Sequence, residues 1–208
     1  GSLDLRTGKQ LWTNPSPEAR ALIEEKGRGL SSTPGFRTMN FCLYTPDVLI
    51  YQGQTRQNVV ALSTQDGHIL WHRSKTSNNP NPLTINDELI IGIGPKGESL
   101  VVDPRSGDTV RELGFAKRSC ARLTATTDSL FCRGMPEGLT RFDLNTKRVL
   151  FNGAVRPSCN DGVIAANGLL YMGPWACDCN LTLMGRVVMC SAGSFDFQRD
   201  DTDGFESY

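Results

Sequence analysis

A period of about 40 residues, marked twice over, restricts this chain more than any other feature it has. The segments Thr7-Gly-Lys-Gln-Leu-Trp12, Asp66-Gly-His-Ile-Leu-Trp71, Ser106-Gly-Asp-Thr-Val-Arg111 and Thr146-Lys-Arg-Val-Leu-Phe151 align without gaps at offsets of 59, 40 and 40 residues. A second marker keeps phase with the first: Asp47-Val-Leu-Ile-Tyr51, Asp87-Glu-Leu-Ile-Ile91, Asp128-Ser-Leu-Phe-Cys132 and Asn167-Gly-Leu-Leu-Tyr171, spaced 40, 41 and 39. Units of this length form arrays, because a single unit cannot bury its own apolar face.

Within each unit an Asx-type turn, an apolar strand, a Gly-rich turn, a third strand and a Gly-containing turn lead into a strand that ends on a large side chain. Four antiparallel strands per unit is the blade of a β-propeller, so the fold class is all-β. Blades are expected over 41–73, 82–113, 121–153 and 161–193, with residues 1–13 as the end of a preceding blade. The longer first interval holds an insertion and linker over 14–40. In it Pro17 to Lys26 predicts a helix, with Ser16 as N-cap and Gly27 as stop. The acidic stretch 194–208 reads as a linker or tail. Glycine permits a positive-φ turn, and the aromatic four residues later is placed to dock between blades. That assigns blade docking to Trp12, Trp71 and Phe151, with weaker contacts where Arg111 or Phe151 replaces Trp.

The Leu-Asp-x-x-Thr-Gly-Lys-x-Leu-Trp unit at 3–12 resembles the repeat of quinoprotein alcohol-dehydrogenase-like propellers, the pyrroloquinoline-quinone-like repeat. Arg156-Pro-Ser-Cys159, Ala166-Asn-Gly-Leu-Leu-Tyr171 and Cys177-Asp-Cys179 look like the C-terminal blades of exported bacterial members. The resemblance implies a periplasmic or extracellular protein and a ring of seven or eight blades. Four and a half blades do not close such a ring, so the remaining blades are expected from the same or another chain. Enzymes of the family use pyrroloquinoline quinone with calcium, an acidic base and a disulfide between adjacent cysteines. This chain has no adjacent cysteine pair, and no cofactor is predicted for it.

Seven cysteines are many for a reducing compartment. Cys120 and Cys132 flank the turn at Asp128, and a hairpin about Met184-Gly185 sets Cys179 opposite Cys190. Cys159 and Cys177 remain as a third pair, and Cys42 as a free thiol. The alternative is a zinc site of Cys159, Cys177, Cys179 and Cys190.

With 22 basic and 22 acidic residues the net charge is zero, which removes the electrostatic footprint of a nucleic-acid or anionic-membrane binder. Gly92-Ile-Gly-Pro-Lys-Gly97 matches a dinucleotide fingerprint in form, but a strand follows it where that site needs a helix. His68 and His72 flank Trp71 at an outer strand and read as surface residues. Asp200, Asp201, Asp203 and Glu206 fail calcium-loop spacing, and Asn180-Leu-Thr182 is a formal glycosylation acceptor. Arg118, Arg122, Arg156 and Trp175 remain as channel-mouth candidates for an anionic ligand. No catalytic or metal residue is predicted. The expected function is a non-enzymatic scaffold or binding module for a protein, carbohydrate or small ligand. A quinone-dependent oxidoreductase is the competing class.

Overall fold

The structure, a computed structural model, describes residues 1–13, 16–24, 41–52, 58–74, 82–92, 99–118, 121–135, 138–158, 162–173, 183 and 185–190. A hairpin of β1 (Ser2–Leu3) and β2 (Gln10–Trp12) precedes helix α1 (Pro17–Glu24). Sheet 1 comprises β3 (Phe41–Thr45), β4 (Val48–Gln52), β5 (Val59–Ser63) and β6 (Ile69–Arg73). Sheet 2 comprises β7 (Pro82–Ile85), β8 (Glu88–Ile91), β9 (Leu100–Val102) and β10 (Thr109–Glu112). In sheet 3, β11 (Thr124–Ala125), β12 (Ser129–Arg133), β13 (Leu139–Asp143) and β14 (Val149–Asn152) follow the same order. Sheet 4 contains β15 (Ile164–Ala166), β16 (Leu169–Met172) and β17 (Val187–Cys190). Every pairing is antiparallel between sequence neighbours. The innermost strands β3, β7, β11 and β15 touch in succession, which is the arrangement of propeller blades.

A turn built from its own side chains recurs between the third and fourth strands. Oδ1 of Asp4 accepts the N–H groups of Arg6 and Thr7 at 2.9 and 2.8 Å. Asp103 does the same for Arg105 and Ser106, and Asp143 for Asn145 and Thr146. Ser63 takes this place in sheet 1, its Oγ accepting from Gln65 N–H. These bonds satisfy turn donors that no ladder reaches, and they hold the carboxyls of Asp4, Asp103 and Asp143 below the usual aspartate range. The stability they supply is therefore complete above the unfolded value of about 3.9 and lost as pH falls through the lower native values. Carbon-detected NMR titration should show all three titrating below a free aspartate. Ordinary midpoints would mean that the turn bonds do not form in solution.

Alternation along the strands gives each sheet two apolar faces. Val48, Ile50, Val59 and Ala61 of sheet 1 pack on Leu89, Ile91, Leu100 and Val102 of sheet 2. Ile90 and Val101 on the opposite face of sheet 2 meet Leu130, Cys132 and Phe142 of sheet 3, where the Phe115 and Phe142 rings lie 5.4 Å apart. Phe131 and Leu139 then meet Val163 and Met172 beside sheet 4. At the start of this stack α1 lays Ala19, Leu22 and Ile23 on Val60, Leu62, Leu49 and Tyr51 of sheet 1. Ser16 Oγ caps the helix by accepting Ala19 N–H at 3.2 Å. The helix thus covers the face on which a preceding blade packs in a propeller.

The ladder moves one sequence marker. Asn167 and Gly168 are the two turn residues of sheet 4, with φ of 52° and 75°. Leu169 faces Cys190 as Val48 faces Ser63, so Gly168 rather than Asn167 is the counterpart of Asp47.

Candidate functional site between the third and fourth sheets

The contacts that close each inter-sheet space come from one triplet of positions, facing the following sheet from the second, third and fourth strands. In sheet 1 the triplet is Val48, Ala61 and Trp71, all buried. Trp71 donates its indole N–H to Pro104 O at 2.9 Å and lies on Gly107, where a Cβ would sit 2.6 Å from the ring. Trp12 repeats the contact on sheet 1, donating to Thr64 O at 2.8 Å and covering Gly67. In sheet 2 the triplet is Glu88, Val101 and Arg111. Arg111 binds Glu88 in bidentate fashion at 2.6 and 2.7 Å, which raises its pKa further.

Sheet 3 breaks the pattern. Its triplet is Ser129, Arg141 and Leu150, because Leu150 rather than Phe151 faces Arg141. The β1–β2 hairpin, sheet 1 and sheet 2 each carry a register shift beside their outermost strand, after a turn with Gly8, Gly67 or Gly107 at positive φ. Sheet 3 has Lys147 in that turn and an unshifted register. Without the extra residue Phe151 pairs with Thr140 on the opposite face. Its ring is 47% exposed and close to Gly138, not on sheet 4.

A cleft of about 710 Å³ opens where the third triplet leaves the space unfilled. Phe131, Ala165, Leu170 and Met189 form its apolar walls, and Thr126, Asp128, Ser129, Arg141 and Cys190 its polar rim. Arg141 Nε donates to Ser129 Oγ at 2.8 Å, and its Nη2 lies 3.3 Å from Asp143 and 3.8 Å from Asp128. Thr126 Oγ1 donates to Asp128, holding that carboxyl below the usual range. Apolar walls with a few fixed polar groups suit an apolar side chain or a small amphipathic ligand. Chain spacing did not point to this cleft, because it depends on which faces of two sheets meet.

The sequence candidates fall elsewhere. Arg118 is half-exposed, its N–H donating to Arg133 O at 2.7 Å and its Nη1 reaching Met135 Sδ at 3.9 Å. In sheet 4 Ser158 Oγ donates to Gly173 O at 2.6 Å. Arg156 is buried, as are Lys117 and Arg133. Arg122 lies against Gly162, where a Cβ would be 2.8 Å from Arg122 O. Trp175 lies outside the described residues. His68 is exposed and bound to Asp66 at 2.6 Å, and His72 is exposed.

Cys42, Cys132 and Cys190 are free thiols. For Cys132 and Cys190 this differs from the disulfide expectation; Cys120, Cys159, Cys177 and Cys179 lie outside the described residues. β17 pairs with β16, which sets Cys190 opposite Leu169, and the Cys179 side of the expected hairpin lies outside the described residues. Cys132 is sealed in the core between sheets 2 and 3, where burial pushes its thiol up to about 12. Alkylating the denatured, unreduced protein is expected to label at least these three. Labelling of Cys42 alone would contradict the structure. Among the described residues no three His, Cys, Asp or Glu side chains come together to hold a metal ion. A calcium–quinone centre of the family type therefore has no fitting donor set there, and no chemical step is derived through one.

No protein-family model matches the chain, and no curated protein sequence does. Solved structures do. The crystal structure of BamB from Moraxella catarrhalis is similar over 60% of this chain at 20% identity and a TM-score of 0.45. The chain spans 39% of that protein. Saccharomyces cerevisiae Sqt1 is similar over 68% of this chain and 37% of its own, at 16% identity and a TM-score of 0.40. The computationally designed Ika4 protein is similar over 89% of this chain and 99% of its own, at 11% identity and a TM-score of 0.59. The likeness to Ika4 is one of fold, running through nearly the whole of both chains.

Proposed function

We propose that this chain is a non-enzymatic β-propeller module of an exported protein, and that it works by binding a protein partner. One observation carries the reading. In sheets 1, 2 and 3 the face directed onward is covered by the next sheet. On sheet 4 the same face shows the cross-strand row Ile164, Tyr171 and Val188 beside the row Ala166, Leu169 and Cys190. Ile164 and Val188 remain 59% and 54% exposed. Contiguous apolar surface of this kind marks an interaction site, and its strand pattern suits another sheet of the same type. Export is supported by the cysteine content and by the resemblance to exported members of the quinoprotein-like family. Among the described residues no helix is long and apolar enough to cross a membrane.

Native mass spectrometry of purified, unreduced protein tests the reading. A complex with another polypeptide or a second copy, with no small-molecule adduct, is the expected result. Purely monomeric protein at micromolar concentration would overturn the interaction reading. A quinone-sized adduct with calcium would replace it with the oxidoreductase.

A further inference from the structure

The spaces on the two sides of sheet 3 are charged differently. Between sheets 2 and 3 Arg111 and Glu88 pair one to one, at 2.6 and 2.7 Å. Between sheets 3 and 4 one guanidinium stands beside two carboxylates, with Arg141 Nη2 3.3 Å from Asp143 Oδ2 and 3.8 Å from Asp128 Oδ2. Asp143 is the nearer and the less exposed of the two, and its other oxygen holds the turn amides of Asn145 and Thr146. Asp128 is therefore the surplus charge. Its side chain is 53% exposed and lines the cleft. The hydroxyls of Thr126 and Ser129 bond to it and favour its ionised form. A carboxylate has about four acceptor sites, so capacity remains for a further donor.

We propose that the cleft between sheets 3 and 4 binds a small amphiphilic amine, with its ammonium on Asp128 at the rim and its apolar body against Phe131, Leu170 and Met189. Charge complementarity selects the amine. An entering anion would meet two carboxylates flanking the single guanidinium. A wholly apolar occupant would cover Asp128 and give it nothing in place of the water it loses. An ammonium replaces that water with a charge-assisted hydrogen bond, and Asn167 lines the same rim from sheet 4 with an amide oxygen. The volume of about 710 Å³ is that of a small-molecule site. Leu170 and Met189 lie on the opposite face of sheet 4 from Ile164, Tyr171 and Val188. The amine site is thus separate from the surface assigned to a protein partner, and it does not rest on that assignment.

Methyl NMR of the full chain, labelled at Met and Leu, tests the site at neutral pH with phenethylamine as the probe. Saturable shifts of the Met189 and Leu170 methyls at millimolar amine are expected. Phenethyl alcohol, which has the same shape without the charge, should bind about fivefold or more weakly, and phenylpropionate more weakly still. Molar salt should weaken the amine and spare the alcohol. Asp128→Asn should bring the amine down to the level of the alcohol. Unmoved Met189 and Leu170 methyls at millimolar amine overturn the proposal, and so does equal binding of amine and alcohol. Tighter binding of phenylpropionate also overturns it, by making Arg141 the recognising group. Undiminished amine binding in Asp128→Asn does the same. Should that variant fail to fold, the salt series on the unsubstituted chain decides, because amine binding that ignores salt leaves no role for the carboxylate.

Discussion

Trp71→Ala is expected to destabilise the chain by about 3–5 kcal/mol, measured by urea unfolding, as removal of a large buried aromatic does. The ring is 9% exposed, belongs to the core between sheets 1 and 2, and spends its one polar atom on Pro104 O. Truncation therefore leaves a cavity and an unmatched carbonyl together. Phe151→Ala is the comparison, since both residues stand four beyond the turn position. With its ring 47% exposed and turned from sheet 4, it should cost about 1 kcal/mol or less. Equal losses would mean that repeat position, not packing, governs the effect.

Gly107→Ala carries the second large effect. Its φ of 80° costs an L-residue about 1–2 kcal/mol, and the new Cβ would stand 2.6 Å from the Trp71 ring. Overpacking adds about 1–3 kcal/mol, for a total of roughly 2–5 kcal/mol. Gly8 isolates the two contributions, having φ of 66° and nothing within 4 Å of an added Cβ. Gly8→Ala should show the backbone cost alone. The double variant Trp71→Ala, Gly107→Ala should then cost less than the sum of the singles, because the smaller side chain removes the clash. Strict additivity would show that the indole and the turn do not bear on each other.

Local chemistry was readable in the chain, and long-range facing was not. Asp4, Asp103 and Asp143 bond to amides two and three residues away, so the turn is written in five consecutive residues. Ser16 caps α1 over an equally short distance, and the helix is described over Pro17–Glu24, with Lys26 and Gly27 outside the described residues. The marker at Asn167 misled by one position because Asn167 and Gly168 both adopt positive φ, and spacing does not say which one matches Asp47. Phe151 changed faces for want of a bulge, which depends on the Lys147 turn and not on the Phe itself. The cleft at Arg141 required knowing both facing sheets. Likewise, the burial of Lys117 and Arg133 follows from neighbours far along the chain; Gly92 leaves room for the Lys117 stem, where a Cβ would be 2.4 Å away.

Helix α1 and the β1–β2 hairpin give the stack of sheets a direction. A copy adding head to tail would have to lay its sheet 4 on a face of sheet 1 that α1 already covers and Trp12 already grips. Among the described residues the free apolar face lies at the other end. Self-association through it is thereby confined to a two-fold, face-to-face pair, which closes at two members, whereas a heterologous contact would propagate into a fibre. A helix of eight residues thus acts as the terminator of the array.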